Sequence, residues 1–577
     1  MLMSRYGKFG AAADRDEALR LNRLSLRLYP IDHPDRAGHL FNLGHTLLKQ
    51  PDPAVVDEAM AAFRDGARTP SGSPVHRIQC GSAWADLAMS TGQWAAARSA
   101  WHEVFEQLPL LIDHRLARAD RQRHLHLFDG VGPRAALARI DEGDVDGAWA
   151  ALEQARGVLF GQALELRADT AELRRVRPDL AAEVDRLRGI LNTETAHPAF
   201  ELNARPAPSS TARREAAQQW RQLLATIRAT AGLDRFALPP TPDQLREAGA
   251  GGLVVAVNVT TYRCDALTLT ESSADVVPLP DLTERDARAM VDRFLPAVHG
   301  ATRSSAAAVL TQVLAWLWDS VTGPVLRHLG VPEGPAEDAA MPRVWWIPTG
   351  PLSVLPVHAS ALDRVVSSYT PTVRALHHAR RPAVPGGDGP LVVGINEVPD
   401  HRPLQNAVSE AEFVAATLPG SRPPVLDGAA DRRTILDRLP ASDWAHFACH
   451  AMAMPDPAES HLVLHDGPLP VRELTGQSLD HARLAYLSAC TTAFGGTSLA
   501  DESIHIASAF QIAGFPHVVG TLWPIADTAA LEFARHIYGQ LNVGTDPALA
   551  VHRAVHAVRN EVPERPHLWA AHVHFGP

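Results

Sequence analysis

Two residues have the types and surroundings of a thiol–imidazole pair. His450 closes the run Asp443-Trp444-Ala445-His446-Phe447-Ala448-Cys449-His450. Cys490 closes Leu484-Ala485-Tyr486-Leu487-Ser488-Ala489-Cys490, forty positions further on. Both runs read as buried β-strands that end on a reactive side chain. A thiol is a weak nucleophile until deprotonated, and a nearby imidazole can remove its proton and later pass it to a leaving amine. The oxyanion formed on the way needs fixed donors, and the backbone N–H groups of Cys490 and Ala451 stand where such donors are needed. Gly495-Gly496 lets the chain turn closely behind the thiol. The chemistry implied is that of a cysteine hydrolase.

Each of these residues also has a purely structural role open to it. Cysteine is among the most buried residue types, so any of Cys80, Cys264, Cys449 and Cys490 can be core. Cys449 alternates with Phe447 along its strand and is assigned to the core. His446 is assigned as a strand histidine with a hydrogen-bond partner, and Cys264 has no evident base. The string His446-x-x-Cys449-His450 has the residue types of a zinc site. A strand, however, sends i and i+3 to opposite faces, and no second ligand pair occurs at a usual spacing. No metal and no cofactor are expected. Asp501, Glu502 and Asp527 are acids near the expected pocket. Glu502 reads as a helix cap, where negative charge is favourable. Asp501 and Asp527 are candidates for binding a basic substrate side chain, with capping as an alternative for Asp501.

The elements that must position these groups form an alternating pattern. Strand-like runs occur at 253–259, 266–270, 344–347, 365–369, 391–395, 446–449, 462–464, 484–489 and 518–523. Helical patterns at 284–294, 307–329, 407–417, 432–439 and 502–513 lie between them. This predicts an α/β domain with a mostly parallel central sheet, whose ligand sites form beyond the carboxyl ends of strands. The first 200 residues read instead as helix after helix. Leu40-Phe41-Asn42-Leu43-Gly44 with Ala59, Phe63 and Ala67, and Trp84-Ala85-Asp86-Leu87-Ala88 with Ala97 and Trp101, look like related hairpins of small residues facing large ones. A concave partner-binding surface and an ordinary helical domain both satisfy this pattern. The expected division is a helical region at 1–200, a connecting helix and Pro-rich linker at 201–245, and an α/β domain at 246–577 with the dyad in 440–530.

A net charge of −11 with interspersed arginines and acids offers no basic track for a phosphate backbone, so direct nucleic-acid binding is not expected. No apolar run approaches a membrane span, and Met1-Leu2-Met3-Ser4-Arg5 lacks a signal pattern. Four scattered cysteines fit a reducing cytoplasm.

His446-Phe447-Ala448-Cys449-His450-Ala451 and Leu487-Ser488-Ala489-Cys490-Thr491-Thr492 resemble the two site blocks of CHAT domains, a bacterial branch of the caspase-like, separase-related peptidases of clan CD. Val518-Val519-Gly520-Thr521-Leu522-Trp523-Pro524-Ile525-Ala526-Asp527 and the closing Leu568-Trp569-Ala570-Ala571 follow in the family's order, and the resemblance covers about residues 250–577. The helical front resembles degenerate tetratricopeptide repeats, which commonly precede such domains. The resemblance implies a caspase-like α/β fold and an endopeptidase dyad, with His450 as base and Cys490 as nucleophile. It also implies a protein substrate, a regulatory partner on the repeats, and a role as a bacterial defence effector. Ala451 and Ala493 stand where the family usually has glycine, which leaves a catalytically inactive interaction scaffold as the alternative.

Overall fold

The computed structural model describes residues 12–111, 130–156, 170–192, 215–332, 341–488 and 506–577, apart from isolated positions and short stretches within those spans. The chain forms two compact units, one of residues 1–155 and 182–225, the other of residues 156–181 and 226–577.

The described part of the first unit is helical, as expected. Helices α1 (Ala12–Leu28), α2 (Arg36–Leu47), α3 (Val55–Ala67), α4 (Pro74–Ser90), α5 (Trp94–Leu111), α6 (Val131–Ile140) and α7 (Val145–Ala155) run in order. Each packs on the next, and α2 also packs on α4. Small residues permit this closeness: a Cβ at Gly44 in α2 would lie 2.5 Å from the Phe63 ring of α3. Phe63, Trp84, Trp101 and Trp149 are buried between helices. Gly92, with φ of 71°, ends α4 in a left-handed conformation that favours glycine.

The second unit is built on an eleven-stranded sheet in the order β3-β2-β1-β4-β5-β14-β13-β12-β8-β6-β7. Its strands are β1 (Leu253–Asn258), β2 (Asp265–Leu269), β3 (Ala274–Pro278), β4 (Arg343–Pro348), β5 (Val366–Tyr369), β6 (Leu391–Gly394), β7 (Val425–Leu426), β8 (Trp444–Ala448), β12 (Leu484–Ser488), β13 (His517–Thr521) and β14 (His572–Phe575). A separate three-stranded sheet holds β9 (His450–Met452), β10 (His461–Leu464) and β11 (Gly467–Pro470). The large sheet is mostly parallel, but it has a seam. β1, β4, β5 and β14 run one way, β13, β12, β8, β6 and β7 run the other, and β13 meets β14 antiparallel.

Helices cover the sheet, so its central strands are apolar on both faces. They include α8 (Glu284–His299), α9 (Arg303–Leu317), α10 (Ala407–Thr417), α11 (Ile506–Ala513), α12 (Asp527–Leu541) and α13 (Pro547–Glu561). Every residue of α11 is buried, and its Phe510 ring meets Phe447 of β8 at 5.5 Å. α10 lies on β6 and β8. Contact there is so close that a Cβ at Gly394 would sit 2.6 Å from the Ala411 Cβ. Among the described residues, no helix is long and apolar enough to cross a membrane.

Candidate active site

Within the block β7-β6-β8-β12-β13 the chain starts on β6, steps outward to β7, and returns past β6 to β8. Strand order therefore reverses between β6 and β8. In a parallel sheet that reversal opens a crevice beyond the carboxyl ends of the two strands. His450 follows β8 at that end. β8 and β12 are parallel neighbours in a register that places Ser488 beside Ala448. Their carboxyl ends are thus level, about 4.8 Å apart. His450 stands two residues after Ala448, and in sequence Cys490 stands two residues after Ser488. Cys490 itself, like Asp501, lies outside the described residues.

His450 does not hang from a loose end. It opens β9, whose partner β10 pairs Val463 with His450, Leu462 with Ala451 and His461 with Met452. Two prolines fix which of these pairs exchange hydrogen bonds. β11 pairs Pro470 with His461 and Pro468 with Val463. Proline has no N–H, so those pairs cannot be the doubly bonded ones, and Leu462 must face β11 with its N–H and C=O. The bond from Val471 N–H to the Ser460 carbonyl, 2.8 Å, continues the same alternation. His461 and Val463 then turn towards β9, and the Leu462–Ala451 pair is not hydrogen-bonded. The Ala451 N–H accordingly points away from β10, as an oxyanion donor requires.

The imidazole of His450 is partly exposed and held by the backbone. Its Nε2 lies 2.7 Å from the carbonyl oxygen of Arg402. A carbonyl only accepts, so Nε2 carries the proton and donates it, and in the neutral ring Nδ1 keeps the lone pair. The His401 ring stacks on His450 at 5.2 Å between centroids. Arg402 belongs to the loop 395–406 that leaves β6, and that loop is clasped at several points. Asn396 N–H donates to Asp427 Oδ1 at 2.8 Å, and Val408 N–H donates to Asn396 Oδ1 at 3.0 Å. Asn406 donates to Asp527 Oδ2 from its backbone N–H at 2.8 Å and from Nδ2 at 3.1 Å. Asp527, the first residue of α12, is therefore engaged with the loop that carries Arg402.

The other reactive types separate by burial. Cys449 is buried behind β8, in the core position expected for it. Burial pushes the thiols of Cys80 and Cys264 up to about 12 and about 11, so both stay protonated and unreactive. His446 is buried and has the partner expected of it: its Nδ1 is 3.0 Å from the Tyr538 hydroxyl. Its Nε2 also lies 3.2 Å from Glu410 Oε1, close enough for an ion pair but off the hydrogen-bond direction. Burial, and after it the Glu410 charge, push Tyr538 and Tyr486 well above the usual phenol range, so both remain neutral. This group ties α10, β8 and α12 together and is closed to substrate.

Sequence reasoning did not find Arg402, His401, Asn396, Asn406 or Glu410. A backbone carbonyl carries no side-chain signature, which hid Arg402. Asn396 and Asn406 did carry one, since two asparagines bracketing a strand-to-helix loop suit side-chain bonding to backbone.

Residues 311–577 match the family model of the CHAT domain, and this part of the chain is a CHAT domain. The sheet extends beyond the matched region, since β1 to β3 precede it. No curated protein matches the sequence. Two crystal structures of the Saccharomyces cerevisiae separase–securin complex are similar. One has 12% identity and a TM-score of 0.40, covering 98% of this chain and 48% of that one. The other has 11% identity and a TM-score of 0.44, with coverages of 94% and 49%. The chain thus spans about half the length of the separase chains it matches. The complex of the Porphyromonas gingivalis RgpB pro- and mature domains is similar at 11% identity and a TM-score of 0.32, covering 51% of this chain and 76% of that one.

Proposed function

We propose that the chain is a caspase-like cysteine endopeptidase of the cytoplasm, with Cys490 as nucleophile and His450 as base. The observation that carries this reading is the level register of β8 and β12 at the crevice, with His450 clamped through Nε2 so that Nδ1 is the basic atom. Nδ1 takes the proton from the Cys490 thiol as sulfur attacks the scissile carbonyl. The amide N–H groups of Ala451 and Cys490 stabilise the oxyanion. The imidazolium returns its proton to the departing amine, leaving a thioester, which a water activated by His450 then hydrolyses. The Arg402 carbonyl plays the orienting part that a third residue plays in other nucleophile–base pairs. The helical unit receives a regulatory protein that governs access to the site.

The test is a peptidyl electrophile directed at thiols, applied to the full chain with and without fractions of the source cell. Mass mapping is expected to place the adduct on Cys490 and to find none in Cys490→Ala. Labelling that is unchanged in that variant, or that never appears under any partner condition, removes Cys490 as the nucleophile.

Asp527 and Asp501 were both candidates for a basic substrate group. For Asp527 we propose a positioning role through Asn406 instead. Asp527→Ala is expected to lower kcat about tenfold, the scale of one charge-assisted hydrogen bond. KM is expected to change little, and basic and neutral substrates should slow alike. A selective loss of basic substrates would return Asp527 to the binding pocket. Asp501 keeps its proposed role in substrate binding.

A further inference from the structure

The bond to the Arg402 carbonyl fixes one atom of the His450 ring, not its plane. The χ2 torsion of a histidine is broad, so Nδ1 can still swing on an arc. The His401 ring supplies what the bond leaves open. It stacks on His450 with 5.2 Å between centroids and 28° between planes. The backbone that presents His401 is unusual. His401 N–H donates to the Val398 carbonyl at 3.3 Å and closes a four-residue turn. Pro399 takes the second position, and Asp400, with φ of 63°, takes the third. That is the pattern of a type II turn, whose third position needs a positive φ and usually holds glycine or asparagine. Below the turn, Leu404 N–H donates to the Asn396 carbonyl at 2.8 Å and closes the loop. Among the described residues two non-glycine positions have a positive φ, Asp400 and Asp427. Asp427 follows β7 with φ of 42°, and its Oδ1 accepts the Asn396 N–H. Both therefore serve the one loop that carries His401 and Arg402. Backbone conformations of this kind cost energy, and they gather at sites where the surroundings hold a group in place for a task.

We propose that His401 is a positioning residue of the dyad, whose ring face fixes the plane of the His450 imidazole and so the direction of Nδ1. This rests on the endopeptidase reading, in which His450 is the base. Two adjacent residues then divide one task. The Arg402 carbonyl sets the tautomer and holds Nε2, and the His401 ring sets the plane. A single turn delivers both constraints, and the two left-handed aspartates hold that turn in place. The imidazolium formed during the reaction is kept in the same plane, so the proton is returned along the direction in which it was taken up. His401 acts through His450 and needs no contact with the substrate.

The experiment is steady-state cleavage, by the full chain, of one peptide that the native chain selects from a random library in the presence of source-cell fractions. Thermal midpoints of all variants are recorded alongside. His401→Ala is expected to lower kcat about tenfold, part of the roughly 10²-fold that a displaced reacting group can cost. KM should stay within about twofold of native, since no substrate contact is removed. His401→Leu fills much of the same space without a flat face and should be as slow as His401→Ala. His401→Phe restores a ring face and should return kcat to within about threefold of native. Asp400→Val puts a β-branched residue at a positive φ and should be at least as slow as His401→Ala. A kcat for His401→Ala within about twofold of native, a Leu variant as fast as the Phe variant, or a loss carried by KM alone overturns the positioning role and leaves the dyad intact. Absence of any Cys490-dependent cleavage by the native chain overturns the endopeptidase reading and the positioning role with it.

Discussion

His450→Ala is expected to lower turnover by about 10³-fold while leaving the fold in place. General acid–base catalysis by a positioned side chain is worth about 10²–10⁴-fold, and this imidazole is assigned both proton transfers. The structural cost is small by comparison. His450 is partly exposed, and its one described polar contact is the bond to the Arg402 carbonyl. Loss of such a bond costs on the order of 1 kcal/mol. The two effects therefore separate cleanly: kcat collapses, while far-UV circular dichroism and the thermal midpoint stay close to native. Residual catalysis would come from the oxyanion donors and from binding. The choice between the two histidines of β8 and β9 depends on this separation. His446 sits four residues earlier, fully buried against Tyr538, Tyr486 and Glu410, where no substrate reaches. Turnover within a few-fold of native in the His450→Ala variant would remove His450 from the mechanism.

The burial of His446 and the partial exposure of His450 were legible because the apolar run of β8 ends before His450. Phe447 and Cys449 fall on buried positions and His450 past the apolar run, and the structure keeps that order. Two apolar runs of one type pointed to neighbouring strands β8 and β12, but the connection between them holds β9, β10 and β11 rather than a single crossover helix. Three features were not readable. β9 and β11 are short, and Pro468 and Pro470 made the β11 segment look unlike a strand. In the structure these prolines occupy the positions whose N–H groups would face no partner, which is where an edge strand tolerates them. The antiparallel β13–β14 seam depends on where the last strand inserts, a long-range fact with no local signal. The clamp on His450 is a backbone carbonyl brought from 48 residues away, and only the path of loop 395–406 reveals it.

That seam leads to the second large effect, a steep loss of stability in mild acid. His572 and His574 of β14 are fully buried, and His358 joins them from the short helix Val357–Ser360. His572 stacks on Phe533 at 3.8 Å, and its Nε2 is 3.4 Å from the Tyr486 hydroxyl. His358 Nδ1 meets the Tyr369 hydroxyl at 3.0 Å, and His574 meets Ser368 Oγ and His517 Nδ1 at 2.5 and 3.0 Å. Nearby charged groups do not rescue an imidazolium here. Arg343 bears on His574 with the same sign, and the histidines bear on one another. Burial, the largest cause in each case, lowers His358 and His572 to about 3 and His574 well below 6.5. The sign follows from linkage. The unfolded chain takes up protons near pH 6.5, while the folded chain does not until far lower. Stability is thus fully present above about pH 6.5 and is lost as pH falls towards the folded values. Each histidine contributes about 1.4 kcal/mol per pH unit in that window, so the three together remove about 4 kcal/mol by pH 5.5. A typical domain has only about 5–15 kcal/mol in all. Urea unfolding of the full chain is expected to show the transition of the sheet moving to much lower urea between pH 7.5 and 5.5. His572→Gln should make that dependence shallower by about one third, even though the variant is less stable at pH 7.5. A slope unchanged in His572→Gln would mean that the ring is not held neutral in the folded chain, and that the loss in acid arises elsewhere.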